Sequence, residues 1–141
     1  MRVYLAGPSS ELPRVLRWAE ALEGAGIELT HRWWEAVAQR GPGRDGELVL
    51  DEQVLHARAD LDAIDMAQAA WILWPEVSSH GAAVELGYLL RRRRWVPVIA
   101  TGPRVHHCVF TALITSRSRH DDDGFMWLCA RKHAAEDGHA G

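Results

Sequence analysis

Cysteine is scarce in this chain. Only Cys108 and Cys129 occur in 141 residues, far apart and outside any CxxC pattern. That excludes a disulfide scaffold and makes a reducing, cytoplasmic setting the expectation. Long apolar runs are missing too: none approaches the ~20 residues of a membrane-spanning helix, so no membrane partner is expected. The opening Met1-Arg2-Val3-Tyr4-Leu5-Ala6 is too short for a signal peptide, and a turn follows it at once. Charge of one sign is not in excess. The net charge is -3, which leaves no basic footprint for nucleic acid. Internal repeats and linkers are absent, so residues 1–141 are expected to form a single domain around one core. His106-His107-Cys108 carries metal-capable groups, but their spacing fits no standard zinc site. Cys108 also lacks the third orienting group of a Cys–His nucleophile. Neither a metal nor an organic cofactor is expected.

What remains is an ordinary globular composition, 48% hydrophobic and 25% charged, with seven tryptophans. Tryptophans in that number fill a core or a subunit interface. Apolar strands alternate with helical patterns along the chain. Val3–Ala6 reads as a strand ending at Gly7-Pro8. A helix capped by Ser9 or Ser10 follows, with Leu12, Val15, Leu16, Ala19 and Leu22 at helical spacing, and Gly24 and Gly26 stop it. Ile27–Thr30 is a second strand. Residues 40–47 form a glycine-rich polar loop, the segment expected to be most mobile. A helix over Asp51–Gln68, a strand over 69–74, a helix over Gly81–Arg93 and a strand over Trp95–Ala100 come next. Val109–Ile114 reads as a strand or a helical turn, and Phe125–Ala135 as a helix with Asp121–Asp123 capping it. Strand-helix alternation predicts an α/β protein: an open, mostly parallel sheet of four to five strands with helices on both faces. The strand ends at Gly7, Pro75 and Thr101 then converge on one edge, each before a turn-rich segment suited to anions.

Ser79-His80-Gly81-Ala82-Ala83-Val84-Glu85-Leu86-Gly87-Tyr88 is the most informative stretch. It follows the buried run Ala69–Trp74 and a Pro75-Glu76 break, and it places Glu85 within the first two helical turns. A carboxylate there stands where open α/β sheets bind ligands. Ser78 and Ser79 suit a helix cap, a role compatible with phosphate contact at the same place. Trp33 and Trp34 follow the second strand, where either ring can stack on a base or pack inside. Arg91–Arg94 sits at a helix C-terminus, where cations oppose the dipole favourably.

Three segments together carry a family likeness. Val3-Tyr4-Leu5-Ala6-Gly7-Pro8, then Ala59-Asp60-Leu61-Asp62-Ala63-Ile64, then Gly81–Tyr88 resemble the nucleoside 2-deoxyribosyltransferase family in order and spacing. The related nucleoside 5′-monophosphate N-hydrolases share those positions. The resemblance covers about residues 1 to 103. It implies a flavodoxin/Rossmann-like sheet and cleavage of an N-glycosidic bond through a glutamyl-glycosyl intermediate, with the sugar passing to another base or to water. It implies that Glu85 is the nucleophile, that Tyr4 orients it, and that Asp60 holds or protonates the departing base. A retaining reaction of this kind needs a carboxylate against an oxocarbenium-like sugar. Gly7, Ser9, Ser79, Gly81 and Trp34 are the expected substrate contacts. A homodimer or larger homo-oligomer is the implied assembly, and a nucleoside or nucleotide the implied small-molecule partner.

Two departures shift this expectation. Six residues before the glutamate, the transferases carry an aspartate and the monophosphate hydrolases a serine; here Ser79 stands, which points toward a nucleotide. The hydrolases follow their first strand with an arginine-bearing phosphate loop, where this chain has Gly7-Pro8-Ser9-Ser10-Glu11. Glu11 repels phosphate unless it turns away. A second family aspartate maps near the neutral Gln68. These departures also allow a nucleotide-binding sensor or regulatory module without turnover.

Overall fold

The computed structural model describes residues 1–42, 44, 47–77, 79–92 and 96–138. Five parallel strands, β1 (Arg2–Ala6), β2 (Glu28–Leu29), β3 (Ala69–Leu73), β4 (Val98–Thr101) and β5 (Ser116–Ser118), lie in the order β2-β1-β3-β4-β5. Tyr4 stands beside Ala70 and Ala6 beside Ile72; Trp71 stands beside Ile99. Five α-helices connect and flank them: α1 (Leu12–Gly24), α2 (Trp33–Arg40), α3 (Leu50–Met66), α4 (His80–Arg92) and α5 (Asp121–Asp137).

The period of two along each strand sorts side chains onto two cores. Val3, Leu5, Ala69, Trp71, Leu73 and Ile99 pack with Val15, Trp18 and Leu22 of α1, Trp34 and Val37 of α2 and Leu128 of α5. Tyr4, Ala6, Ala70, Ile72, Val98 and Ala100 pack with Ala63 and Ile64 of α3 and Leu86 and Leu89 of α4. Both faces of the sheet are therefore covered, and β3 is buried along its whole length. This is the expected α/β architecture with five strands.

The structure corrects several boundaries. The second strand is only two residues long, and α2 follows it where the sequence suggested no helix. The strand after α4 begins at Val98, beyond Pro97, whose carbonyl still accepts from the Ala70 N–H at 3.0 Å. Val109–Leu113 is a 3-10 helix. The edge strand β5, Ser-Arg-Ser, offers no apolar pattern to read. The starting Trp95 of the expected strand, Ser78, Arg93 and Arg94, and Gly43, Asp45 and Gly46 of the expected mobile loop lie outside the described residues. Arg92 pairs with Asp65 of α3 at 2.6 Å, so this part of the basic run tethers α4 to α3. Among the described residues no helix is long and apolar enough to cross a membrane.

Candidate active site

β1 and β3 are neighbours, and the chain leaves β1 toward β2 on one side and β3 toward β4 on the other. Such a switch point opens a crevice at the carboxyl ends of the strands. A cavity of about 460 Å³ occupies that crevice, and Gly7, Ser9, Asp60, Ser79, Gly81 and Glu85 all line it. Gly7 ends β1 under tight packing: a Cβ there would lie 2.9 Å from Cγ2 of Val15 on α1.

Tyr4, Asp60 and Glu85 meet because they share one face of the sheet. Tyr4 points to the α3–α4 side of β1, where it is fully buried. Asp60 lies one helical turn before Ile64, the residue that anchors α3 to that face. Glu85 lies next to Leu86, one of the buried residues of α4. The Tyr4 hydroxyl donates to Oε1 of Glu85 at 2.6 Å. Asp60 faces His31, whose Nδ1 is 2.9 Å from Oδ1. His31 comes from the turn between β2 and α2, and the sequence reading missed it. A lone histidine after a two-residue strand gives no signal of where its ring will point.

Burial pushes the Glu85 carboxyl from 4.5 up to about 8; the hydrogen bond from Tyr4 opposes this and the Asp60 charge adds to it. Desolvation outweighs the Tyr4 bond, so the carboxyl stands above its ordinary value. Tyr4 itself is held well above the ordinary phenol value by burial, then by the charges of Glu85 and Asp60. It therefore stays a proton donor. The arrangement is a buried carboxyl with a fixed donor on one oxygen, open to a cavity large enough for a small organic ligand.

The remaining predicted contacts divide. Ser79 caps α4, its Oγ accepting from the Ala82 N–H at 3.4 Å, and still faces the cavity. Ser9 and Gly81 line the same rim. Trp34 does not: it is 3% exposed and packed in the core against Val3, Leu5 and α1. Its neighbour Trp33 lines the cavity instead, its Nε1–H donating to the Leu5 carbonyl at 2.9 Å. Consecutive helical residues point about 100° apart, so only one of the pair can face inward. Gln68 is remote from the cavity; its Oε1 accepts from the Arg2 N–H at the start of β1. Glu11 turns away from the rim. It accepts from Arg14 at 2.6 Å and from the Glu76 N–H at 2.9 Å, joining the turns after β1 and β3. Arg40, Gln53 and His56, from α2 and α3, complete the far wall and were not anticipated.

Searches against family models and against curated proteins return no match. Solved structures do match. The 2-deoxyribosyltransferase of the psychrotolerant bacterium Bacillus psychrosaccharolyticus aligns over 73% of this chain and 73% of its own, with a TM-score of 0.54 and 19% identity. The CMP N-glycosidase of Clostridium botulinum aligns over 91% of this chain and 98% of its own, with a TM-score of 0.55 and 15% identity. This chain has their fold. A 2-deoxyribosyltransferase and a CMP N-glycosidase are thus both built on this fold.

Proposed function

We propose that this protein is an enzyme that cleaves the N-glycosidic bond of a 2′-deoxynucleoside or its 5′-monophosphate. The observation that carries the reading is the Tyr4–Glu85 hydrogen bond, 2.6 Å long, at a cavity wall shared with Asp60. The likeness of fold to a deoxyribosyltransferase and a CMP N-glycosidase supports it, as does the match of all three residues to the family pattern.

In the first step an ionised Glu85 oxygen attacks the anomeric carbon. The C–N bond breaks and its electron pair leaves with the base. The sugar in between has oxocarbenium character, which the carboxylate stabilises before bonding to it. Tyr4 holds the carboxylate through its Oε1, leaving the other oxygen to attack. Asp60, steadied by His31, serves the departing base as hydrogen-bond partner and proton source. In the second step water or another base attacks the same carbon, its proton returns to Asp60, and the bond to Glu85 breaks with its electron pair returning to the carboxylate. No metal enters either step.

The 5′-monophosphate is the favoured form of the substrate. Ser9 and Ser79 place hydroxyls at the cavity rim, where the positive end of α4 favours an anion. Glu11, the residue that would oppose a phosphate, is turned away and neutralised by Arg14. A cytoplasmic homo-oligomer is the setting we infer. Chromatography of the protein incubated with the common deoxynucleosides and their monophosphates, with and without a second free base, tests the reading. Released base without acceptor identifies a hydrolase, and a new nucleoside with acceptor a transferase. Intact substrate throughout rejects both.

A further inference from the structure

The turn after β1 brings a hydroxyl to the cavity rim and no free charge. Ser9 lines the rim, Glu11 turns away, and Arg14 is held by Glu11 and Asp121. A cation for a phosphate at Ser79 has to come from another element. Ser79 also lines a second cavity, of about 260 Å³, whose wall includes Arg104, His107 and Cys108 from the segment after β4. That segment is firmly placed. Gly102, at φ +146°, lies so close to the turn after β3 that a Cβ there would sit 2.5 Å from the Trp74 carbonyl oxygen. Val105 is fully buried in the core on the α3–α4 side of the sheet. Between these two anchors, Arg104 donates from one terminal nitrogen to the Glu76 carbonyl at 3.0 Å. The Glu76 N–H in turn donates to Glu11 at 2.9 Å. One N–H of the guanidinium seats the side chain, and its other donors remain for a ligand.

Arg104 belongs to a larger concentration of positive charge. His106, His107, Arg117 and Arg119 share its stretch of chain, and among the described residues none of the five pairs with a carboxylate. Desolvation and the charges of Arg117, Arg119 and His107 hold His106 below its ordinary 6.5. The chain as a whole is acidic, at -3, so this gathering of cations is local. Glu76 is the one carboxylate among the described residues of the second cavity's wall, and it opposes an anion there.

We propose that the second cavity is a phosphate subsite reached past Ser79, in which Arg104 is the cation that grips the 5′-phosphate of a nucleotide whose sugar lies at Glu85. This rests on the nucleotide reading above and names the group that makes the phosphate count. Ser79 stands at the junction of the two cavities, so one phosphate can meet its hydroxyl and the Arg104 fork together. A guanidinium suits the task because its planar donors match two phosphate oxygens at once.

The test compares each deoxynucleoside with its own 5′-monophosphate. The monophosphate is expected to have the higher kcat/KM. Arg104→Gln should lower the ratio of the two values about 10- to 100-fold, the scale of one hydrogen bond to a charged group, chiefly through KM of the monophosphate. Arg104→Lys should restore part of the ratio. Glu76→Gln keeps the carbonyl that seats Arg104 and removes the opposing charge, so it should raise the ratio. A ratio that Arg104→Gln leaves unchanged, or that Glu76→Gln lowers, overturns the proposal. Calorimetry on the Glu85→Gln protein, with and without Arg104→Gln, separates this claim from the glycosidase reading. If no substrate is cleaved but the monophosphate binds more tightly than the nucleoside, and Arg104→Gln closes the gap, the subsite stands and the glycosidase reading falls. If the monophosphate binds no more tightly than the nucleoside, the subsite is wrong whatever the turnover.

Discussion

At Glu85, burial and hydrogen bonding pull the carboxyl in opposite directions. Its value of about 8 lies above the ordinary 4.5, so the native protein holds a proton there across that interval. The attacking form is the carboxylate, so kcat/KM should rise with pH and level off above about 8, as a pH–rate profile will show. Stability carries the opposite sign. The raised value favours the fold fully below 4.5, and that contribution is lost as pH rises toward 8. Glu85→Gln should abolish base release and also remove this fall, so that its melting temperature gains on wild type between pH 5 and pH 9. Tyr4→Phe removes the bond that lowers the carboxyl. The rising limb of its rate profile should move to higher pH, and kcat/KM at pH 7 should drop about 10- to 100-fold, the scale of a hydrogen bond to a charge. Tyr4, Asp60 and Glu85 were singled out by the family resemblance, and the pattern of each segment places them on a common face. Tyr4 alternates with Val3 and Leu5, and Asp60 and Glu85 flank the apolar stripes of their helices. Trp33, Trp34 and His31 were not legible in the same way. Their directions depend on where a short strand hands over to a helix, and no periodicity records that.

At the level of elements, one polar cluster ties α1, β3, β4 and α5 together. Arg14 of α1 donates to both oxygens of Asp121 at 2.7 Å and to the carbonyls of Trp74 and Thr101 at 3.1 Å. The Thr101 hydroxyl donates to Asp121 and accepts from the Trp71 indole, both at 2.7 Å. Trp18 also donates to Asp121, at 3.2 Å. Burial by itself would raise the Asp121 carboxyl; the bonds from Arg14 and Thr101 outweigh it and hold the group below its usual 3.8. The ion pair thus stabilises the fold above 3.8 and is lost as pH falls through the lowered value. Asp121→Ala should cost about 3 kcal/mol in urea unfolding, as expected when a part-buried pair loses one partner. The sequence suggested a simple helix cap for Asp121. It missed this role because Arg14 is 107 residues away. Close packing explains Gly124: a Cβ there would sit 2.4 to 2.6 Å from the Trp71 indole. Gly124→Ala should therefore destabilise the protein by about 1–3 kcal/mol despite its better helix propensity, measurable in the same unfolding experiment.

For the whole molecule, the parallel architecture was readable because short apolar strands alternate with amphipathic helices. The convergence of the β1, β3 and β4 ends on one edge follows from it, and Arg14 reaches two of those ends at once. The strand order was not readable, since the side to which each crossover runs is decided by tertiary packing. Neither was the far wall of the cavity, which forms only when α2 and α3 are folded over the switch point. Large apolar side chains remain exposed on α3, α4 and the adjoining 3-10 helix, among them Leu55 at 67%, Val84 at 66% and Phe110 at 58%. If these meet a second copy, sedimentation velocity should find a dimer or larger species, and a monomer at every concentration would contradict the inferred assembly. The central claim concerns a covalent bond to one residue, and mass spectrometry of acid-quenched protein addresses it most directly. During turnover of a substrate that releases free base, the account predicts one deoxyribosyl adduct, with or without its phosphate, on the peptide holding Glu85 and none on Glu85→Gln. Turnover without that adduct, by a Glu85→Gln protein as active as wild type, would contradict it.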